Sequence, residues 1–321
     1  MQLTSNNQTP PYCRGHIDLP VVVIAGPTAV GKTALALAIA ERSSGEIVGA
    51  DSMQVYRHMD IGTAKPTREE MGRVRHHLID VADPDEQYQA ARYAAEALQA
   101  CFDITARGKV PLVVGGTGLY IHALIHGVFA MPLVDATVRA DLRARLAKEG
   151  REALYQELQQ VDPLSAARIH ANDTQRLLRG LEIFLTTGIS WSRHLSEQVN
   201  HPNLRRVLRI GLTCDRETLY ARINQRVEGM MAAGLLEEVR HLLALGYDGE
   251  LTAMQSLGYR HMLNHIAGRW PLKQAIALLA QDTRRFAKRQ FTWFGRDPDL
   301  HWYGVDQERE IWQLVTEFLG I

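Results

Sequence analysis

Gly26-Pro27-Thr28-Ala29-Val30-Gly31-Lys32-Thr33 has the spacing G-x-x-x-x-G-K-S/T. It follows the apolar run Val21–Ile24 and precedes an Ala/Leu-rich stretch. Glycines let a backbone wrap a phosphate with its N–H groups inward, and a helix N-terminus adds partial positive charge. Lys32 supplies a full charge, and the Thr33 hydroxyl is a Mg²⁺ ligand in such loops. ATP is the first ligand to consider. Yet Val110–Val114 runs into Gly115-Gly116-Thr117-Gly118 without the acidic residue that many such nucleotide-binding proteins place there. The nearest carboxylate at a strand end is Asp51, suited to hold Mg²⁺ through water, to act as a general base, or to cap a helix.

The elements that must position these residues alternate. Val21–Ile24, Glu46–Gly49, Val110–Val114 and Val207–Leu212 read as strands, while 33–42 and 88–106 read as helices. That order implies an α/β fold, a parallel sheet with helices on both faces. From 131 to 203 strand signals vanish. Val138–Lys148, Ala153–Gln160 and Gln175–Thr186 read as amphipathic helices, with Asp162-Pro163 able to start another. Residues 192–203 read as a polar linker, and 1–20 as a loose tail. The expected division is thus a core of 21–130 and 204–321 interrupted by a helical insertion at 131–203.

Composition sets limits. The 321 residues include 36 Lys+Arg and 36 Asp+Glu, so net charge is zero and a strongly cationic nucleic-acid binder is excluded. The zero conceals structure: residues 204–296 carry 15 basic against 8 acidic, and 297–321 carry 1 against 6. No window holds 18 consecutive apolar residues, so no membrane span is expected. The three cysteines, Cys13, Cys101 and Cys214, lack the spacing of a disulfide framework or zinc site and fit a reducing cytoplasm. His76-His77 and the i,i+4 pair His122 and His126 lack a third metal ligand at matching spacing.

Further segments carry a resemblance. They are Asp51-Ser52-Met53-Gln54-Val55-Tyr56, Met59 through Pro66, His77-Leu78-Ile79-Asp80 with Asp83-Pro84, and Gly115 through Tyr120. Asp173 through Arg179, Arg222-Ile223-Asn224-Gln225-Arg226, Leu257-Gly258-Tyr259-Arg260 and Lys288 through Phe294 follow in order. Together with the phosphate loop, this collinear set resembles the tRNA dimethylallyltransferases of bacterial type. The resemblance implies a P-loop NTPase-like core and transfer of a dimethylallyl group from dimethylallyl diphosphate to N6 of adenine 37, beside the tRNA anticodon, with Mg²⁺ as cofactor. It implies Asp51 as general base, Arg222 as a second cation across the diphosphate, and Thr28 and Thr117 positioning substrate. The anticodon stem-loop is expected to meet Asp51, Ser52, Met53, Gln54 and Thr117; Gln175, Arg176, Leu177, Leu178 and Arg179; Gln255, Ser256, Leu257, Gly258, Tyr259 and Arg260; and Lys288, Arg289 and Gln290. A cytoplasmic monomer is expected.

Residue chemistry alone leaves alternatives open. Arg222 and Arg226 at i,i+4 spacing also fit a solvated helix face, Thr117 a helix N-cap, and Trp293 a core-packing aromatic. A P-loop small-molecule kinase, an adenylate prenyltransferase using free nucleotide, and a non-catalytic tRNA-binding module remain competitors. The insertion and the basic run at Arg284, Arg285, Lys288, Arg289 and Arg296 favour a macromolecular acceptor. Intact Gly31-Lys32-Thr33 with Asp51 argues against an inactive module.

Overall fold

The computed structural model describes residues 19–128, 134–170, 172–197 and 203–321. In chain order its elements are β1 (Val21–Ala25), α1 (Lys32–Arg42), β2 (Glu46–Gly49), α2 (Arg68–Arg73), β3 (His76–His77), α3 (Ala90–Ala106), β4 (Pro111–Gly115) and α4 (Gly118–His126). Then come α5 (Ala136–Val161), α6 (Pro163–Arg168), α7 (Thr174–Thr187) and α8 (Trp191–Glu197). The chain continues with β5 (Val207–Thr213), α9 (Arg216–Ala232), α10 (Leu235–Ala244), α11 (Tyr259–Ile266), α12 (Leu272–Phe294), β6 (Leu300–Gly304) and α13 (Glu308–Leu319).

Six strands form one parallel sheet in the order β3-β2-β4-β1-β5-β6. Central β1 is buried along its whole length, as its unbroken run of Val and Ile anticipates. Alternate side chains feed two apolar cores. Val21, Val23, Val48 and Val113 join Tyr93 and Ala97 of α3, Tyr120 of α4, Val239 of α10 and Leu279 of α12. On the other face Val22, Ile24, Leu112 and Ile210 join Leu35 and Ile39 of α1, Ile223 of α9 and Ile311 and Val315 of α13. Among the described residues no helix is long and apolar enough to cross a membrane.

Backbone contacts divide the described chain into two compact units. One runs to Gly127 and resumes at Asn203; the other lies between them and is helical. The helical unit has its own core of Leu142, Leu154, Leu158, Ile169, Leu177 and Leu181. Its two expected first helices form α5, interrupted at Gly150, where φ is 81°. Asp162 starts α6 as expected: its Oδ1 accepts from Ser165 N at 3.0 Å, with Pro163 in the first turn.

Three expectations need correction or limitation. The polar stretch from 192 is helical up to Glu197, because Trp191 packs on the helical core and Asp162 Oδ2 accepts from Ser192 N at 2.9 Å. Residues 198–202 and 1–18 of the expected linker and tail lie outside the described residues. The segment after 297, which carried no motif, supplies β6 and α13. Leu300 is buried, and Ile311 and Val315 close one side of the sheet. Sequence reasoning missed β6 and two-residue β3 because both are short edge strands without an apolar run.

At the start of β2, Glu46 is buried yet meets a histidine and two cations. His77 Nε2 lies 2.7 Å away, Arg107 Nη2 2.6 Å and Lys109 Nζ 3.0 Å. Burial alone would raise its carboxyl pKa; hydrogen bonds from His77, Lys109 and Arg107 outweigh that and hold it at about 2. A depressed carboxylate stabilises the fold above the unfolded-state value and loses that contribution as pH falls through its folded value. Glu46→Gln is expected to cost about 3 kcal/mol in urea unfolding at pH 7. The gap between variant and parent should shrink as pH drops from about 4.5 towards 2.

Candidate active site

The turn after β1 is built for an anion. Gly26 has φ 142°, and a Cβ there would lie 2.7 Å from the Leu212 carbonyl oxygen, so only glycine fits. Gly31, with φ 115°, is the N-cap of α1, and Ala29 has φ 64°. The loop thus ends on a helix N-terminus that no side chain caps. Lys32 Nζ folds back on the loop, donating to the Pro27 carbonyl at 2.7 Å and the Gly26 carbonyl at 3.0 Å.

Beside the loop is a cavity of about 650 Å³, within the range of small-molecule sites. The carboxyl ends of β1, β2 and β4 open into it, where ligands of parallel α/β sheets bind. β1 brings Thr28, Lys32 and Thr33, β2 brings Asp51 and Ser52, and β4 brings Gly116 and Thr117. The expected loop, carboxylate and threonine turn therefore share one cavity.

Their hydrogen bonds give each a task. Asp51 Oδ1 accepts from Met53 N at 2.8 Å and Gln54 N at 3.4 Å, which shapes the turn after β2; no helix is capped there. Thr117 precedes α4, but its hydroxyl does not cap it. Oγ1 accepts from Ser52 N at 3.0 Å, and Thr117 N donates to the Ala50 carbonyl. The β2 and β4 turns are thereby fastened together. Gln54 Nε2 donates to the Thr63 and Ala64 carbonyls at 3.2 and 3.0 Å.

Lys32 also faces Arg226 and Asp51. Burial first, then the Arg226 charge, lower its pKa to about 7, while Asp51 opposes the shift. Arg226 is itself pushed below its usual range by burial, with Asp51 again acting against it. Two desolvated cations set against one carboxylate leave an excess of positive charge in the cradle. A polyphosphate group would offset it.

Lys32 lies where expected, while the two arginines of α9 divide their positions. Arg222 Nη1 donates to the Val30 carbonyl at 3.0 Å, so it braces the loop and is absent from the cavity wall. Arg226, one turn further along α9, occupies that wall with Ile223, Val227 and Met230. On α12, Leu279, Thr283, Phe286, Arg289 and Gln290 line the cavity. Both sets recur at three- and four-residue helical spacing, the signal by which they could have been found.

Several expected tRNA contacts are placed elsewhere. Gln290 is buried: its Oε1 accepts from Thr28 N and its Nε2 donates to the Gly116 carbonyl, each at 2.9 Å. It pins the phosphate loop to the β4 turn. Tyr259 is fully buried, its hydroxyl donating to Glu238 Oε1 at 2.6 Å, and Gly258 is the buried N-cap of α11. Leu177 packs in the helical core, with Leu178 against it.

The remaining contacts stay accessible. Gln255, Ser256, Leu257 and Arg260 line the cavity, as do Ser52, Met53 and Gln54. Ser256 Oγ is buried without a partner among the described residues, and Arg260 Nη2 pairs with Asp282 at 2.5 Å. Lys288 and Arg289 are exposed on α12; Trp293, expected to pack inward, is 43% exposed beside Gly118. In the helical unit Gln175 and Arg176 are exposed at the start of α7. Arg176 pairs with Asp173 and Arg179 with Glu182.

No group of three or more His, Cys, Asp or Glu suited to a metal occurs among the described residues. The donors present are harder and fewer: the Thr33 hydroxyl and the Asp51 carboxylate line the phosphate cavity. That set fits Mg²⁺, which takes few protein ligands and completes its shell with water and phosphate oxygens.

Comparison with known proteins bears on the family and the fold. Residues 54–297 match the sequence model of the family described as IPP transferase. A tRNA dimethylallyltransferase of Desulfotalea psychrophila is 52% identical over 303 residues, covering 94% of this chain and 96% of that protein. One of Syntrophobacter fumaroxidans is 51% identical over 311 residues, covering 95% and 90%. Among solved structures, the tRNA isopentenylpyrophosphate transferase of Bacillus halodurans superposes with a TM-score of 0.69 at 39% identity, covering 94% of this chain and 97% of that one. A eukaryotic dimethylallyltransferase acting on tRNA gives 0.73 at 29% identity, covering 89% and 74%. With a parallel sheet, a phosphate loop after its central strand and these matches, the chain belongs to the IPP transferase family.

Proposed function

We propose that this protein transfers a dimethylallyl group from dimethylallyl diphosphate to the exocyclic N6 of adenine 37 in tRNA. One observation carries the reading. A cationic phosphate cradle and a carboxylate share a single cavity with a group of apolar side chains on its α9 and α12 walls: Ile223, Val227, Met230, Leu279 and Phe286. A kinase acting on a small polar acceptor has no need of such walls. A five-carbon prenyl chain does.

In the proposed reaction the loop N–H groups, Lys32 and Arg226 hold the diphosphate and stabilise charge as the C–O bond breaks and its electron pair passes to the leaving oxygen. Thr33 is the residue to hold Mg²⁺, which when bound would neutralise part of that charge. The N6 amine is a weak nucleophile because its lone pair is delocalised into the ring. Asp51 accepts its proton as the C–N bond forms. Oδ1 is committed to the Met53 and Gln54 amides, whereas Oδ2 takes no hydrogen bond from the described residues. Thr28 and Thr117, held by Gln290 and Ser52, position the substrates around it.

The target base must leave its stack, at a cost of a few kcal/mol. Proposed contacts that offset this are the exposed cations of α12, the 255–257 segment with Arg260, and Gln175 and Arg176 of α7. Binding through such local phosphate contacts is expected to weaken with salt, because each contact releases counterions.

The reading is tested by mass spectrometry of tRNA incubated with the protein, Mg²⁺ and dimethylallyl diphosphate. A new N6-dimethylallyl adenosine is expected at position 37. Its absence with folded protein would sink the reading, and transfer to free AMP but not tRNA would favour a nucleotide prenyltransferase. Asp51→Asn keeps an Oδ1 acceptor for the turn and removes the base. It is expected to lower kcat by about 10²–10⁴ while tRNA binding in gel shifts is retained. The pH behaviour of Lys32 adds a third check. Its lowered pKa means that, above pH 7, the empty site must take up a proton as diphosphate binds. The Kd of dimethylallyl diphosphate, measured by calorimetry, should rise by up to about tenfold per pH unit above pH 7, and Lys32→Met should flatten that slope.

A further inference from the structure

Between β2 and α2 the chain crosses the cavity as a strap, residues 60–66, that is neither helix nor strand. Gly62, Thr63, Ala64 and Pro66 line the cavity, so the strap is one of its walls. Half of it is held locally. Gln54 binds the Thr63 and Ala64 carbonyls, and Lys65 Nζ donates to the Tyr56 carbonyl and Asp60 Oδ1, each at 2.6 Å.

The other half is held from a distant part of the chain. Glu238 on α10 accepts from Asp60 N at 2.9 Å and Ile61 N at 2.7 Å through Oε2, and from Gly62 N at 3.0 Å through Oε1. Oε1 also accepts from the hydroxyl of Tyr259 at 2.6 Å. Tyr259 continues the segment whose Ser256, Leu257 and Arg260 form another wall. One carboxylate thus fastens two cavity walls together, with no Lys or Arg among the described residues paired to it. Only a carboxylate offers enough acceptor capacity for four donors. The fit is close: a Cβ on Gly62 would stand 2.5 Å from the Tyr259 ring.

We infer that Glu238 is a positioning residue for the transfer reaction, setting the strap against the 256–260 wall so that the acceptor base meets the prenyl carbon. This rests on the proposed function. Glu238 touches neither the phosphate loop nor Asp51, so the inference predicts a split in effects. Glu238→Gln turns an acceptor oxygen into a donor facing main-chain N–H groups. It is expected to lower single-turnover transfer to tRNA by about 10- to 100-fold, the penalty for ångström-scale misplacement. The Kd of dimethylallyl diphosphate should stay within about twofold, since its cradle is untouched.

Tyr259→Phe removes one of the four bonds and should give a smaller loss of the same kind, deciding the matter if the glutamine variant does not fold. Unchanged single-turnover rates in a folded variant, or a parallel loss of diphosphate affinity, would overturn the inference. Hydrogen exchange at the Asp60, Ile61 and Gly62 amides gives a readout independent of activity. Loss of protection in Glu238→Gln supports the pin, and unchanged protection in that variant overturns it. Failure of the parent protein to modify tRNA would instead strike the proposed function, and the exchange measurement would still decide whether Glu238 sets the strap.

Discussion

The site depends on the side-chain amide of Gln290, which joins two turns that a parallel sheet leaves unjoined. Strand pairing stops at Ala25 and Gly115, and beyond those residues β1 and β4 have no ladder to fix their separation. Gln290 bridges the gap, accepting from Thr28 N and donating to the Gly116 carbonyl while buried from water. Two such bonds stabilise by only about 1 kcal/mol each, but losing the amide would leave a buried donor and acceptor unmet. The asymmetry makes the arrangement unforgiving. With the Ser52–Thr117 bond, it makes the loop, the β2 turn and the β4 turn one body.

That rigidity matters because the site is electrostatically unfinished. Lys32 and Arg226 are both desolvated, and the Arg226 charge further disfavours that of Lys32. A flexible loop would relax them into solvent. Here Lys32 is retained by the carbonyls of its own loop, and Arg222 holds that loop from outside by the Val30 carbonyl. The unfavourable charge arrangement is thus kept ready for an anion, and binding an anion removes the cost. Asp51, close enough to offset the two cations, is kept on the opposite side of the balance by the turn it shapes. The same preorganisation that tightens a diphosphate also stabilises it as a leaving group.

Much of this was legible in the sequence, for identifiable reasons. The loop, Asp51 and the threonine turn are local: a few adjacent residues dictate their geometry, and each follows a strand that shows as an apolar run. The elements with long apolar or amphipathic patterns, β1, β4, β5 and α7, fall within a residue or two of their expected limits. What failed to show were tertiary facts. Whether Arg222 or Arg226 enters the cavity depends on the rotation of α9 about its axis, which the packing of Leu219, Ile223 and Val227 decides. Gln290 and Tyr259 sit in motifs whose polar side chains suggest exposure, yet each is buried with a main-chain or carboxylate partner far away in sequence. The terminal segment was silent because β6 gains its place only by pairing with β5.

The motif residues divide accordingly into those that face the cavity and those that hold the cavity in shape. A substitution in the second group can mimic loss of the first when only turnover is measured, since misplacing a wall and removing a contact both slow the reaction. The two differ in what they leave intact. Removing Lys32 or Arg226 must weaken diphosphate binding itself, because the attraction resides in their charges. Disturbing a wall built from the strap or the 256–260 segment leaves that attraction in place and spoils only the meeting of the two substrates. Binding and transfer measured separately are therefore the proper coordinates for this site, and a rate alone assigns no role to any residue in it.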